Sequence, residues 1–519
     1  MSHSSSVHAS DPVNYETWTR EELIARLKEL AHPTSTPTPP EPSTSSTRGS
    51  KRRTSERPSP SPSSSTQKIT PKSEKKHRPK REFNFSAYAT QKIALKFTYA
   101  GAGYGGLAWQ AGPTPLPTVE GVLFAALSKA RLVDPEGGLE GCRWERCGRT
   151  DRGVSAAGQV VSLYVRSSNR PSTTTSSSKT TTATAVDTRE EEDASDDPPP
   201  PLDAHPQNPS PSAEARERER AAIRYLHTLN GILPPSIRVY AWAPVAPTFS
   251  ARFSCRTRHY KYFFSARNLD VDAMRAGAAR LVGEHDFRNL CKLDPAKQLT
   301  SFRRRILRAD ISPIDTNRDH DNNDIKDTMH VLDLVGTAFL YNQVRHVMAV
   351  LLLIGARLES PNVISALLNT APPEGDDSAD GQEPPLPVVR CKPEYQMADA
   401  LPLVLWDCTY DAKDVPWRTD DAGLDGGSVG LHTQLVGLAE RAWVEATLAE
   451  HFLTAASQFH APARAPTSLM DGGPLNVPLG GGIVRREGKY VGLLKRKRME
   501  SVEEINARWR RRKKGVVGV

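Results

Sequence analysis

From Gln91 to Tyr99 (QKIALKFTY) apolar and polar residues alternate, with Ile93, Leu95 and Phe97 on one face, as in a half-buried strand. The pattern then turns helical over Val119 to Leu132 (VEGVLFAALSKARL) and returns to a strand over Val160 to Val165. A helix over Ala213 to Leu229 and a strand over Ile237 to Pro244 close this first series. The second series runs strand Tyr260–Ser265, helix Val271–Val282, strands Ile306–Ile311 and Met329–Gly336, helix Tyr341–Leu358 and strand Leu403–Tyr410. Strands with helices between and beside them predict an α+β fold in two parts. Outside these series, Tyr15–Leu30 reads as an amphipathic helix with Leu23, Leu27 and Leu30 on one side and Thr19 as its cap. A helix is also expected near Gln434–Gln458, and the rest beyond Tyr410 reads as loop ending in the basic stretch KRKRMESVEEINARWRRRKK.

The patternless stretches set the domain limits. Residues 32–82 are rich in Pro, Ser and Thr and then basic, with eleven Lys/Arg against three Asp/Glu between Lys51 and Glu82. That composition predicts a disordered basic arm. Within it, SEKKHRPKRE reads as a nuclear localisation signal, a nucleic-acid tether or a solvated linker. Residues 167–213 read as a disordered insertion in a surface loop, and 315–327 and 371–387 as smaller polar insertions. The expected organisation is a short helix and basic arm (1–88), two catalytic subdomains (89–247 and 248–412) and an extension with a basic tail (413–519).

Composition agrees with a folded part shorter than the 519-residue chain: 37% of residues are hydrophobic and 42 are prolines. A formal charge of +9 makes a polyanion the default partner. The opening MSHSSSVHAS lacks the apolar core of a signal peptide. The apolar run Val347–Ala356 falls short of the roughly 20 residues a membrane span needs, so a soluble protein is expected. Six cysteines are scattered at 142, 147, 255, 291, 391 and 408, with no CxxC. Cys142 and Cys147 have no nearby cysteine or histidine pair to complete a zinc site. Reduced thiols in an intracellular protein, and no metal, are the expectation.

Four stretches carry candidate chemistry. GAGYGG (Gly101–Gly106) matches a dinucleotide-binding fingerprint, with Glu120 at about the right distance for a ribose, but it leads into the proline-rich LAWQAGPTPLPT rather than a helix. Tight turning of a loop is the better reading. CGRTDRG (Cys147–Gly153) sets Asp151 between Arg149 and Arg152 just ahead of a strand. It reads either as a surface turn or as a carboxylate held ionised by its flanking guanidinium groups to act as nucleophile or base. RFSCRTRHYKYFF (Arg252–Phe264) interleaves basic and aromatic residues. It suits either base stacking or a strand whose Tyr260, Tyr262 and Phe264 face the core. In GTAFLYNQVRHVMAVLLLIG (Gly336–Gly355) a buried helical stripe carries Arg345 and His346 in its first turn, where Arg345 needs an anion if buried.

Taken together and in this order, these stretches resemble the TruA-type tRNA pseudouridine synthases. CGRTDRGVSAAGQV is similar to the family's G-R-T-D-x-G-V motif, FSARFSCRTRHYKYFF to its F-x-A-R-F-S…R-x-Y-x-Y segment, and GEHDFRNLCK and GTAFLYNQVRHVMAVLLLIG to its later segments. PTPLPTVEGVLFAAL, the cysteine before GRTD, VSA after it and KYVGLLKRKRMESVEEINARW resemble more narrowly the eukaryotic branch acting at positions 38 and 39 of the tRNA anticodon arm. One departure is FTYAGAGYGG, where many relatives carry an aspartate–glycine pair.

The resemblance implies two ferredoxin-like subdomains facing one central RNA-binding cleft, tRNA as partner, a homodimer, no cofactor and no metal. It implies residence in the nucleus, the cytoplasm or both. It makes Asp151 the catalytic aspartate, whose attack on the target uridine lets the glycosidic bond break and the base reattach through carbon 5. Tyr260 would stack on the flipped base and help remove the carbon-5 proton, Arg149 would pair with Asp151, and Arg252 and Arg345 would face the cleft. Basic, aromatic-rich surface suits this chemistry, because extruding a base costs a few kcal/mol that stacking offsets. Two alternatives stay open: a synthase for other tRNA or mRNA uridines, and a non-catalytic RNA-binding protein of the same fold.

Overall fold

Strand β1 (Thr90–Tyr99) lies inside a sheet, with Ile93, Ala94, Leu95 and Phe97 fully buried. It pairs antiparallel with β3 (Ser155–Arg166) on one side and β4 (Ile237–Pro244) on the other. The protein is described here by a computed structural model, which places residues 83–167, 224–314, 329–371, 386–419, 429–460 and 475–516. All of these belong to one compact unit, Lys80–Val519. The expected helix Tyr15–Leu30, the basic arm, most of 167–213 and the N-terminal part of the helix expected over 213–229 lie outside the described residues.

The remaining elements follow in chain order. α1 (Val119–Lys129) and the short α2 (Gly138–Gly141) precede β2 (Glu145–Arg146) and β3, and α3 (Tyr225–Asn230) precedes β4. Then come β5 (Thr257–Ser265), α4 (Val271–Ala279), β6 (Gly283–Asp286), β7 (Arg303–Pro313), β8 (Met329–Gly336), α5 (Gln343–Gly355), α6 (Asn362–Leu368) and β9 (Leu403–Thr409). A long helix α7 (Val429–Ser457), a hairpin of β10 (Leu475–Gly480) and β11 (Ile483–Glu487), and α8 (Val502–Val516) complete the chain. The result is a mixed α/β arrangement around one large sheet, ordered β4-β1-β3-β9-β5-β8-β7-β6 with β2 beside β3. Its ladders are antiparallel except where β3 meets β9 in parallel, through Ser155↔Val404 and Ala156↔Leu405. That short parallel seam joins the first series of strands to the second.

Helix α5 explains why the apolar run Val347–Ala356 has no polar face. Every residue of the helix except Arg345 is buried, against α4, β10 and the sheet. Burial of Val347, Leu351 and Leu352 stabilises the fold by about 1.5–3 kcal/mol each. Among the described residues no helix is long and apolar enough to cross a membrane.

Several boundaries move for local reasons. α5 starts at Gln343 rather than Tyr341 because Asn342 adopts a left-handed backbone, φ 57°. β3 extends five residues before Val160, through Ala156, Ala157 and Gly158, whose weak strand propensity is overridden by pairing on both edges. The tail expected as loop holds the β10–β11 hairpin and α8. That helix starts with a capping box: Ser501 Oγ accepts from Glu504 N–H (3.2 Å) and Glu504 Oε2 accepts from Ser501 N–H (2.9 Å).

Candidate active site

The loop Cys147–Val154 runs between β2 and β3 and is fixed from three sides. Gln159 of β3, with no exposed surface, turns its amide back onto the loop: Nε2 donates to Gly148 O (3.0 Å) and Oε1 accepts from Gly148 N–H (3.4 Å). Thr150 is buried and its hydroxyl meets that of Tyr99 at 2.5 Å. The glycine-rich segment after β1 passes directly beneath. A Cβ on Gly101 would sit 2.1 Å from Val154 O, and Gly106, at φ 108°, has Thr150 O and Arg152 N at 3.2 and 3.3 Å from the same position. GAGYGG therefore lets one backbone pass close under another, and Leu107 N–H donates to Thr150 O (3.2 Å). Glu120, considered above only as a ribose ligand, is fully buried in a structural role: it ion-pairs with Arg146 and accepts from Trp144 Nε1 (2.8 Å) and Trp109 N–H (2.9 Å).

These supports hold Asp151 at the rim, its side chain 28% exposed. The ion pair it makes is with Arg345, whose Nη1 lies 4.0 Å from Oδ2, and not with a guanidinium of its own loop. Arg345 is aimed by Ala398, whose carbonyl accepts from Nε at 2.8 Å. The two side chains come from opposite sides of the β3–β9 seam. Burial raises the Asp151 carboxyl above its ordinary range, against the pull of Arg345, Lys292, Arg149 and Lys297. This corrects the expectation that Arg149 and Arg152 would settle its ionisation. Arg149 and Arg152 are both exposed, and desolvation by the packed loop outweighs the surrounding positive field.

The other expected residues divide. Tyr260 is buried with Tyr262 and Phe264 on the core face of β5, edge-on to Phe339 at 4.9 Å, and its hydroxyl lies 3.9 Å from the Cβ position of Gly148. It therefore stands directly behind the Asp151 loop. Burial pushes its phenol far up, so the hydroxyl keeps its proton at neutral pH. Arg252 makes no ion pair with Asp151; it is exposed, with its guanidinium 5.0 Å from the ring centre of Phe253, itself 78% exposed. His346 points away from Asp151's surroundings into the core, where Lys392 Nζ approaches its Nε2 at 3.0 Å, and burial together with Lys392 holds the imidazole neutral.

Sequence reasoning missed three groups. Lys292 and Lys297 flank exposed Tyr341, their ammonium groups 5.5 and 5.2 Å from its ring centre, and both act on Asp151. GEHDFRNLCK ends at Lys292, which was a pointer to this group. Arg258 straps the loop from below, donating to Thr337 O (2.8 Å), Arg252 O (2.8 Å) and Cys147 O (3.3 Å). Cys147, which has no partner by spacing, meets Cys255 and Cys408 with all three sulfurs within 4.8 Å of one another.

The geometry thus presents a partly desolvated carboxylate ringed by cations, two of which flank the exposed ring of Tyr341. That is suited to attack on a polyanionic substrate. Comparison with known proteins agrees in kind. A family model described as tRNA pseudouridine synthase matches residues 278–411, a span that includes Arg345 but not Asp151. The chain is 34% identical over 500 residues to the tRNA pseudouridine(38/39) synthase of Saccharomyces cerevisiae, covering 96% of this chain and 92% of that one. It is 39% identical over 341 residues to the human protein of the same name, covering 66% of this chain and 60% of the human one. The tRNA pseudouridine synthase A of Methanothrix thermoacetophila is 30% identical over 296 residues, 55% of this chain and 80% of that one.

Proposed function

The chain belongs to the tRNA pseudouridine synthase family, and from that premise we propose that it isomerises uridine to pseudouridine in the tRNA anticodon stem-loop, at the positions 38 and 39 for which its relatives are named. Asp151 is the nucleophile in this reading. Its carboxylate attacks the sugar carbon of the extruded nucleotide as the glycosidic bond breaks, the base turns, carbon 5 bonds to that sugar carbon and displaces the carboxylate, and carbon 5 then loses its proton to solvent. The observation that carries the assignment is the Asp151 carboxyl itself, raised by burial yet facing Arg345, Lys292, Arg149 and Lys297. Desolvation sharpens a nucleophile, and the cations hold the phosphates on either side of the target.

In the same reading Arg345 orients the carboxylate, and Arg149 steadies the flipped nucleotide. Tyr260 forms the wall behind the base and, protonated, acts as a donor. Arg252 and Phe253 offer an outlying guanidinium–aromatic platform for a neighbouring base. Two ferredoxin-like halves, 89–247 and 248–412, flank the cleft; the strand orders β4-β1-β3-β2 and β9-β5-β8-β7 support this division, the first half following a β-α-β-β-α-β succession with the short α2 added and the second following it with β6 and α6 added.

The test is tritium release from a tRNA transcript labelled at uridine carbon 5, with wild type and Asp151→Ala side by side, followed by mapping of the product positions. Release by wild type alone, with product at 38 and 39, is expected. Equal release by the variant removes Asp151 from the chemistry, and product elsewhere in the tRNA moves the assignment to another uridine.

A further inference from the structure

Behind the Asp151 loop three cysteines converge from three distant segments. Cys147 immediately precedes Gly148, Cys255 lies in the connection leading into β5, and Cys408 sits near the end of β9. All three are buried, as free thiols, and their sulfurs lie within 4.8 Å of one another. Neither the proposed isomerisation nor the RNA surface uses them. We propose that Cys147, Cys255 and Cys408 form a three-thiolate site for a thiophilic divalent cation of the zinc type.

Geometry, charge and surroundings point the same way. Zinc–sulfur bonds of about 2.3 Å in a tetrahedral arrangement place sulfurs roughly 3.8 Å apart, so the cluster needs to contract by no more than about 1 Å. Three thiolates and a divalent ion carry one net negative charge, and the Arg258 guanidinium beside the cluster neutralises it. A buried charge needs such a partner. The Tyr410 hydroxyl, near Cys147, donates its proton to Ala251 O (2.6 Å), which leaves its oxygen as a neutral donor beside the site. Among the described residues no fourth Cys, His, Asp or Glu joins the group, so the protein contributes three strong ligands. Uptake of the cation displaces the remaining thiol protons to solvent, one for each thiol that becomes a thiolate.

The site would fasten the Asp151 loop of the first series of strands to β9 of the second, next to the parallel seam. Its effect on catalysis is one of positioning, since no ligand touches the reacting carboxylate.

The experiment uses the full chain, purified, reduced and freed of metal with a chelator. Zinc is titrated calorimetrically, and cobalt(II) is used as a spectroscopic probe of thiolate ligation. One equivalent of either metal per chain is expected, with thiolate-to-cobalt charge-transfer absorption and proton release. Cys255→Ser and Cys408→Ser should each weaken binding by more than about 100-fold, beyond the loss of an outer-shell partner, whereas Cys142→Ser, outside the cluster, should bind as wild type. Should the variants fail to fold, wild-type protein settles the matter through alkylation read by mass spectrometry under partial denaturation. Zinc must then protect Cys147, Cys255 and Cys408 selectively over Cys142, Cys291 and Cys391. No stoichiometric uptake by the reduced chain, uptake unchanged by both substitutions, or protection of other cysteines instead overturns the proposal. So does the finding that the three thiols only form a disulfide with peroxide and never retain metal.

Discussion

Two carboxylates lie within one short stretch of structure and meet opposite fates. Glu120, on α1, is sealed from solvent, and both its oxygens are taken: one by Arg146 and Trp144, the other by the Trp109 backbone. Asp151, on the loop above, keeps 28% of its side chain exposed and faces its ion-pair partner at the outer limit of contact, 4.0 Å. A buried charge with partners on both oxygens is structural cement, since removing it strands those partners. A partly buried charge with open lone pairs is available for chemistry, and at Asp151 burial raises the carboxyl against the pull of the neighbouring cations. The difference is one of satisfaction, not of burial alone.

The comparison breaks most plainly if the two residues respond alike to mutation. Asp151→Ala should lower tRNA turnover by at least about 10³-fold, the range in which loss of a reacting group falls, with tRNA affinity changed only a few-fold by filter binding. Glu120→Ala should instead unfold in urea with about 1–3 kcal/mol less stability, because the half-buried Arg146 and Trp144 lose their acceptor. A stable Glu120→Ala protein would erase the distinction.

Arg345→Gln sharpens it. Turnover should fall by about 10²–10³-fold, as when one oriented charged donor is lost. The acid limb of kcat/KM should also move to higher pH, since Arg345 is the foremost cation opposing desolvation at Asp151. An unmoved limb would remove the pairing from the mechanism. A smaller effect is expected for Lys292→Gln with Lys297→Gln: weaker tRNA binding, and a log–log salt slope reduced by about 0.7–0.9 per lost phosphate contact. An unchanged slope would show that these ammonium groups do not meet phosphate.

The smallest effect is on stability. Because burial raises the folded-state carboxyl of Asp151, the ionised form opposes folding at neutral pH, and the penalty disappears as pH falls through the folded and then the unfolded pKa. Asp151→Asn should therefore melt slightly above wild type at pH 7, with the advantage shrinking in acid. A variant that melts lower at pH 7 would mean that the Arg345 pair outweighs desolvation.

Much of this was legible beforehand, but not the reasons for it. β1, β4 and β8 carry their periodicity openly because one or both faces are lined by Ile, Leu, Val and Phe. The first half of β3 is written in Ala and Gly, and only its neighbours make it a strand. The signals for α8 and for the β10–β11 hairpin were present, as the capping box Ser501-x-x-Glu504 and the glycines 480–482 at the turn, but the surrounding basic and polar residues masked them. At the site, local sequence named Asp151 and placed Arg345 in a helix's first turn, yet it could not show that these two would meet. Nor could it show that three cysteines scattered over the chain would share one pocket, since both facts depend on how the sheet closes at its seam.

That seam has a consequence for the order in which the enzyme comes into being. Asp151 leaves the ribosome almost two hundred residues ahead of Arg345 and further still ahead of β9. At about 5–20 residues per second the nascent chain carries Asp151 for roughly 10–40 s without the Arg345 guanidinium that faces it. The pair between Asp151 and Arg345 must wait for α5 to emerge, and the sheet is complete only when its last strand reaches β3. The two series of strands are thus joined late, by the closing of a two-residue parallel contact.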